Sequence, residues 1–199
     1  MHCVDLDFVA NMWENVGMFM SGFFFSGSSV AKLDEKGRFV LPQEMRYGLV
    51  EEGKCEFVVG LGLGGCLTIY KKSAIQQIVE KFKQNQHIAK FQKFFTVFFS
   101  TLHHTECDKV GRVNLPATLR SAVGMDKELM VAGVMDRIEL WPKEKYDQHL
   151  SDCLSDQSEG FAKMMEEAFG LLQNPVVSEA PAEPVSSLNP LYLNTAPTK

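Results

Sequence analysis

The cysteine pattern of this 199-residue chain excludes two kinds of site. The number of cysteines is odd, five, and no C-x-x-C pair occurs among them. We therefore expect no disulfide framework and a reducing, cytoplasmic setting. No second Cys/His pair accompanies His103, His104 and Cys107, so the sequence predicts no tetrahedral metal site. The cysteines are Cys3, Cys55, Cys66, Cys107 and Cys153.

Long apolar runs and a basic N-terminal segment are also missing. No apolar run approaches the roughly 20 residues that a membrane-spanning helix needs, so no membrane span is predicted. Residues 1–27 contain three acids and no Lys or Arg, whereas a signal peptide starts with basic residues. We expect residues 1–24 to be a leader outside the folded unit, either disordered or not translated, with alternative starts at Met12, Met18 and Met20.

The sequence has no set of residues with the spacing of a catalytic site. No Ser/His/Asp or Cys/His arrangement has motif support, so we predict no enzyme, no cofactor and no small-molecule substrate. Residues 60–65 match the G-x-G-x-x-G of dinucleotide sites. That fingerprint must open a helix whose N-terminus holds the pyrophosphate, and residues 66–70 are strand-like instead. A hairpin turn is the prediction for this segment.

The charge of the chain is unevenly distributed. A formal net charge of −5 is unusual for a protein that binds nucleic acid. Residues 28–147, however, contain eighteen Lys/Arg and fifteen Asp/Glu, a balance of +3. The acidity lies in the two ends, and the central part is mildly basic, which favours an anionic partner.

One motif occurs twice, and it organises the central part of the chain. The pattern D-x-x-G-R-x-x-L-P-x-x-x-R runs from Asp34 to Arg46 and recurs 74 residues later, from Asp108 to Arg120. Such an internal repeat defines the folding unit. The positions that we expect to shape each copy are Asp34, Gly37 and Pro42 in the first and Asp108, Gly111 and Pro116 in the second.

Each copy predicts a strand, a tight turn, a strand, a helix and two further strands. The motif glycine suits a turn with positive φ, and the proline suits the first turn of a helix. We therefore predict an α+β fold with two tandem β-hairpin/helix repeats. The expected parts are repeat 1 at 28–75, a helical spacer at 76–100, repeat 2 at 101–146, a helical extension at 147–172 and a disordered, proline-containing tail at 173–199.

The spacer includes a phenylalanine-rich helix, predicted at about residues 88–102. Its apolar side is too wide for a single buried stripe. Two interpretations stay open for these residues: packing against both the protomer and a neighbouring subunit, or simple burial within the monomer.

Basic residues of the repeats are the candidates for contact with DNA. An Arg at a rigid hairpin tip can contact backbone phosphates or donate two hydrogen bonds to guanine O6 and N7. The alternative is that Arg38 and Arg112 form ion pairs with Asp34 and Asp108 that lock the hairpins, and the two roles are compatible. Arg46 and Arg120 can contact DNA or brace the hairpins through salt bridges. The full set is Arg38, Lys36, Lys32, Arg112, Lys109, Arg46 and Arg120.

Four features of the sequence occur together: the doubled motif, the helix-rich spacer, the segment His-Thr-Glu-Cys-Asp at 104–108 and the segment Ile-x-Leu-Trp at 138–141. Together they resemble the MraZ family of bacterial transcriptional regulators. That family belongs to the AbrB-like swapped-hairpin superfamily, and the resemblance covers residues 25–149. Two features depart from the family: Ser26 stands where members carry a basic residue, and the acidic tail is additional. Lys32 is the cation that can replace the missing one.

The resemblance implies a fold and a function. It implies a pseudo-twofold swapped-hairpin barrel and ring-shaped homo-oligomers. It also implies a cytoplasmic, nucleoid-associated localisation. It also implies binding to double-stranded DNA at short direct repeats upstream of the division and cell-wall gene cluster. The alternative that we keep open is an oligomeric protein-interaction scaffold without specific DNA readout.

Overall fold

The computed structural model describes residues 23–84, 86–155 and 159–173. Residues up to Ser151 belong to one compact unit, and those from Asp152 onward belong to a second. The predicted leader lies outside the described residues except for Phe23 and Phe24, and the predicted tail lies outside them except for Gln173. Both predictions therefore remain untested.

The first repeat follows the predicted order of elements. It contains strands β1 (Ser28–Lys32) and β2 (Arg38–Val40), helix α1 (Gln43–Leu49), and strands β3 (Glu56–Leu61) and β4 (Leu67–Lys71). Residues Leu63–Gly65 form a short 3₁₀ turn between β3 and β4. The glycine-rich segment is thus a hairpin connection that leads into a strand, as the sequence predicted.

The spacer contains helix α2 (Lys72–Gln84), a 3₁₀ turn (Ala89–Phe91) and helix α3 (Gln92–Ser100). The predicted helix at 88–102 is therefore shorter, because its first turn is 3₁₀. The ring of Phe82 on α2 lies 5.3 to 6.1 Å, centroid to centroid, from the rings of four phenylalanines of α3. These aromatic contacts join the two helices.

The second repeat contains β5 (His103–Glu106), β6 (Arg112–Asn114), helix α4 (Ala117–Val123), β7 (Glu128–Val134) and β8 (Arg137–Pro142). Helix α5 (Lys143–Leu154) follows, and helix α6 (Glu159–Gln173) belongs to the second compact unit. None of the helices in the described ranges combines the length and the apolar composition that a membrane span requires.

Strand pairing joins the two repeats in a reciprocal way. One sheet has six strands in the order β1-β7-β8-β4-β3-β5, and a second sheet consists of β2 and β6. The first strand of each repeat pairs with the third strand of the other, since β1 pairs with β7 and β5 pairs with β3. The described strands do not close into a barrel, because β1 and β5 are edges of the larger sheet.

The hydrophobic core takes equivalent positions from both motifs. The inward residues of the small sheet, Phe39 and Val113, are buried, and so are Leu41 and Leu115 just beyond them. The two short helices also contribute buried residues at equivalent positions of the two motifs. Met45 corresponds to Leu119, and Leu49 corresponds to Val123. Because one core serves both copies, neither repeat can bury its apolar side chains alone.

Candidate nucleic-acid interface

A two-stranded antiparallel ribbon places both motif arginines on one surface. In the β2–β6 pair, Arg38 lies opposite Asn114 and Val40 lies opposite Arg112. Phe39 and Val113 between them point into the core. Because side chains alternate along a strand, the other four residues share the outer face. Diagonal neighbours on such a face are about 7–8 Å apart, so the two arginines are close together.

The turn that leads into β2 is organised by the carboxylate of Asp34. Its Oδ1 accepts hydrogen bonds from the backbone amides of Lys36 and Arg38, each 2.9 Å long. Its Oδ2 accepts from Nε and Nη2 of Arg38, at 2.8 and 2.7 Å. Gly37 has a φ of +76°, a conformation that favours glycine. The hydrogen bonds from Arg38 and Lys36 lower the pKa of Asp34.

The second turn repeats this geometry. Oδ1 of Asp108 accepts hydrogen bonds from the amides of Val110 and Arg112 at 2.9 and 2.8 Å, and Oδ2 accepts from Arg112 Nε at 2.7 Å. Gly111 has a φ of +86°. The backbone and side-chain hydrogen bonds from Arg112 lower the pKa of Asp108 to about 2. Both carboxylates are therefore charged at neutral pH, and each holds its arginine through charge-assisted hydrogen bonds.

The two helix arginines cross to the opposite repeat. A Cβ atom added to Gly111 would lie 2.3 Å from Arg46 Nη1, and one added to Gly37 would lie 2.8 Å from Arg120 Nη2. The guanidinium of each arginine therefore covers the turn glycine of the other copy. Arg120 Nε also donates to the carbonyl of Leu115 at 3.2 Å. These contacts support a bracing role for both arginines, and their contact with DNA stays a prediction.

The three predicted lysines lie in different surroundings. Lys36 and Lys109 are exposed within the two turns, and neither has an ion-pair partner among the residues that the structure describes. Lys32 lies on β1, in the other sheet, with its ammonium 3.4 Å from Glu128 Oε1. Lys32 is therefore not part of the ribbon surface, although its side chain is 80% exposed.

The two turns differ in charge. Residues 34–38 contain two acids and two cations, whereas residues 108–112 contain one acid and two cations. Glu35 at the first turn corresponds to Lys109 at the second. The second turn is therefore the more favourable of the two for a polyanion.

Asn114 is a candidate that the motif did not reveal. It is exposed on β6 directly opposite Arg38, and its amide can donate to and accept from a base edge. Position 114 is variable within the motif, because its counterpart in the first copy is Val40. The pattern of alternating inward and outward residues after Arg112 is the signal that identifies it.

Fold and site together define a tandem-repeat α+β protein whose two copies present paired arginines on one ribbon. The model of the family described as "MraZ protein, putative antitoxin-like" matches residues 24–98 and, a second time, residues 98–171. The chain belongs to the MraZ family, as the doubled motif predicted. This family is of a regulator type and not an enzymatic one.

Proposed function

We propose that this protein is a sequence-specific DNA-binding transcriptional regulator that uses the β2–β6 ribbon and its two turns to contact double-stranded DNA. The observation that carries the proposal is the outer face of the ribbon, where Arg38, Arg112 and Asn114 lie together. A two-stranded ribbon fits the major groove, and Arg and Asn are the side chains that most often read guanine and adenine there.

The geometry of the arginines favours recognition of base edges over simple charge attraction to phosphates. Each is held by an aspartate through Nε, and Arg38 also through Nη2. An arginine has five N–H donors, so further donors remain to face a base edge. An orientation fixed before binding lowers the entropy lost on binding. The turn lysines Lys36 and Lys109 are placed for phosphates, which position a protein without specifying sequence.

We further propose that several copies act together, as a ring-shaped homo-oligomer on short direct repeats, with the protein's own division and cell-wall gene cluster as the target. One ribbon carries two paired arginines and two lysines, which makes a weak site. Linked copies on spaced DNA repeats raise the effective concentration of each further contact. The exposed apolar residues of α3 provide a surface for such assembly.

The test is a mobility-shift titration against the DNA just upstream of the gene, with a scrambled probe and two salt concentrations. We expect preference for the natural sequence and binding that weakens steeply as salt rises. Arg38→Ala and Arg112→Ala should each lose about 1–3 kcal/mol of that preference. Light scattering should show that both variants keep the assembly state of the parent, because outward ribbon residues contribute little to the core.

Lysine variants separate phosphate contacts from base contacts. Lys36→Ala and Lys109→Ala should weaken binding to both probes equally and reduce the slope of log K against log[salt] by about one per lost contact. Lys93→Ala on α3 is the matched control and should change neither quantity. Equal binding of both probes by the parent would reject specific readout and favour the protein-interaction scaffold.

A further inference from the structure

Cys55 and Cys107 lie directly opposite each other at the end of the β3–β5 pair. The register pairs Glu56 with Glu106, and the next step outward pairs the two cysteines. The amide of Cys107 donates to the carbonyl of Cys55 at 3.1 Å, which continues the antiparallel pattern. Both thiols are free, and both line one groove of about 370 Å³.

This placement meets the geometric requirement for a disulfide. Directly opposite residues of antiparallel strands have Cα atoms about 4.5 or 5.5 Å apart and side chains on the same face. Disulfides form at Cα separations of about 4.4–6.8 Å. The two thiols are also close enough that Cys55 contributes to raising the pKa of Cys107. The backbone separation expected for this register therefore lies within the range that a disulfide spans.

The thiol pair adjoins the second turn, and the equivalent positions at the first turn are not cysteines. Cys107 precedes Asp108, whose carboxylate holds Arg112, and Cys55 Sγ lies 3.8 Å from the carbonyl oxygen of Arg46, which covers Gly111. At the first turn the amide of Leu33 donates to the carbonyl of Lys127 at 2.9 Å. Leu33 and Lys127 thus stand at the positions equivalent to Cys107 and Cys55. A bond between the cysteines would therefore constrain the second turn and not the first.

We propose that Cys55 and Cys107 form a reversible disulfide that ties β3 to the segment entering the Arg112 turn. The oxidant is a low-molecular-weight disulfide. One cysteine thiolate attacks a sulfur of the oxidant, forms a mixed disulfide and releases one small thiolate. The second cysteine thiolate attacks the mixed disulfide, closes the protein bond and releases the second small thiolate. The two protein thiols lose two protons and two electrons, and the oxidant becomes two thiols after taking up those protons.

Proximity and not acidity makes this pair react. Burial, and then the neighbouring Cys55, raise the pKa of Cys107 to about 12. The thiolate is the reacting species, so Cys107 by itself reacts slowly at neutral pH. Once a mixed disulfide has formed, however, the second thiol is already in place, and the effective concentration of an intramolecular step is high. The closed disulfide is therefore favoured over a lasting adduct.

The test is to equilibrate the folded full-length chain in glutathione buffers that run from fully reduced to fully oxidised. Peptide mapping by mass spectrometry then identifies the products. We expect a cross-link between the peptides that contain Cys55 and Cys107, a loss of two hydrogen masses, and complete reversal by excess reduced glutathione. The thermal midpoint of the oxidised chain should rise by about 5 °C or more.

Two variants control for other cysteines. Cys107→Ser should lose the cross-link and carry a glutathione adduct instead, whereas Cys153→Ser should cross-link like the parent. The proposal is rejected if the parent yields only glutathione adducts at the oxidised end, or if the cross-link forms only after denaturant is added. None of these readouts requires DNA, so the result is independent of the proposed regulatory function.

Discussion

The Asp108 carboxylate makes the second turn sensitive to acid. Its pKa in the folded chain is about 2, below that of an unfolded aspartate, which is about 3.9. The ionised form therefore adds stability that is fully present above about pH 4 and is lost as pH falls toward 2. We predict that Asp108→Asn flattens the pH dependence of the free energy of unfolding across that window.

Urea titrations at several pH values measure this effect, and carbon NMR of the Asp108 carboxyl gives its pKa directly. Asp126→Asn is the control, because Asp126 is exposed and has no side-chain hydrogen bond among the described residues. A carboxyl signal that titrates near pH 4 would contradict the prediction.

Gly111 is required for two separate reasons, and a second glycine allows them to be separated. Its φ of +86° disfavours any side chain, and a Cβ atom would lie 2.3 Å from Arg46 Nη1. Gly53 has a similar φ of +79°, but no atom of the described residues lies within 4 Å of its Cβ position. Gly53→Ala should therefore cost the backbone strain alone, about 1–2 kcal/mol.

We predict that Gly111→Ala lowers the free energy of unfolding by more than Gly53→Ala does, by about 1 kcal/mol or above, because it also displaces the arginine. The gain from a less flexible unfolded chain is common to both variants and cancels in the comparison. Urea denaturation of the two variants measures the difference, and equal losses would show that the contact with Arg46 contributes nothing.

At the scale of elements, each short helix stabilises the turn of the opposite repeat. Arg120 on α4 covers Gly37, and Arg46 on α1 covers Gly111. We predict that Arg120→Ala shifts the amide signals of residues 34–38 in the first repeat, and that Arg46→Ala shifts those of residues 108–112. The ¹H–¹⁵N correlation spectra of the two variants test whether each helix arginine contacts the turn of the other repeat.

The two arginine variants should also differ in stability. Arg120 Nε donates to Leu115 O, whereas Arg46 Nε is buried without a hydrogen-bond partner in the described part of the chain. Loss of a satisfied donor costs more than loss of an unsatisfied one, so Arg120→Ala should be the more destabilising change.

In the NMR spectra, amide signals that shift only within the mutated repeat would rule out the contact of each arginine with the turn of the other repeat.

The repeat in the sequence predicted the elements better than their partners. The turn glycines, the helix after each proline and the hairpin at residues 57–70 are confirmed, because local turn chemistry and alternation determine them. The pairing of β1 with β7 and of β3 with β5 could not be predicted from periodicity, since any of these strands presents a similar apolar face. The contact of Arg46 with Gly111 depends on that pairing, so spacing within one motif could not reveal it.

At the scale of the whole molecule, one face of α3 is left uncovered by the residues that the structure describes. Phe95, Phe98 and Phe99 pack around Phe82 of α2. Phe94 also contacts the ring of Phe82, at 5.6 Å between centroids, but its side chain is 46% exposed, and Val97 is 54% exposed. These two residues are three positions apart and share one side of the helix. Apolar residues clustered on a monomer surface are typical of a protein–protein contact, and a second copy is the partner that the proposed ring requires.

We predict that Phe94→Glu and Val97→Glu reduce the mass of the assembly in light scattering, because each places a charge in the apolar contact. Thr96→Glu adds the same charge on another side of α3, about 160° from Phe94 and about 100° from Val97 around the helix axis, and should leave the mass unchanged. Circular dichroism should confirm that all three variants remain folded. If Phe94→Glu and Val97→Glu keep the parent mass, the subunit contact does not involve this face, and the phenylalanines of α3 serve only to join it to α2 within the protomer.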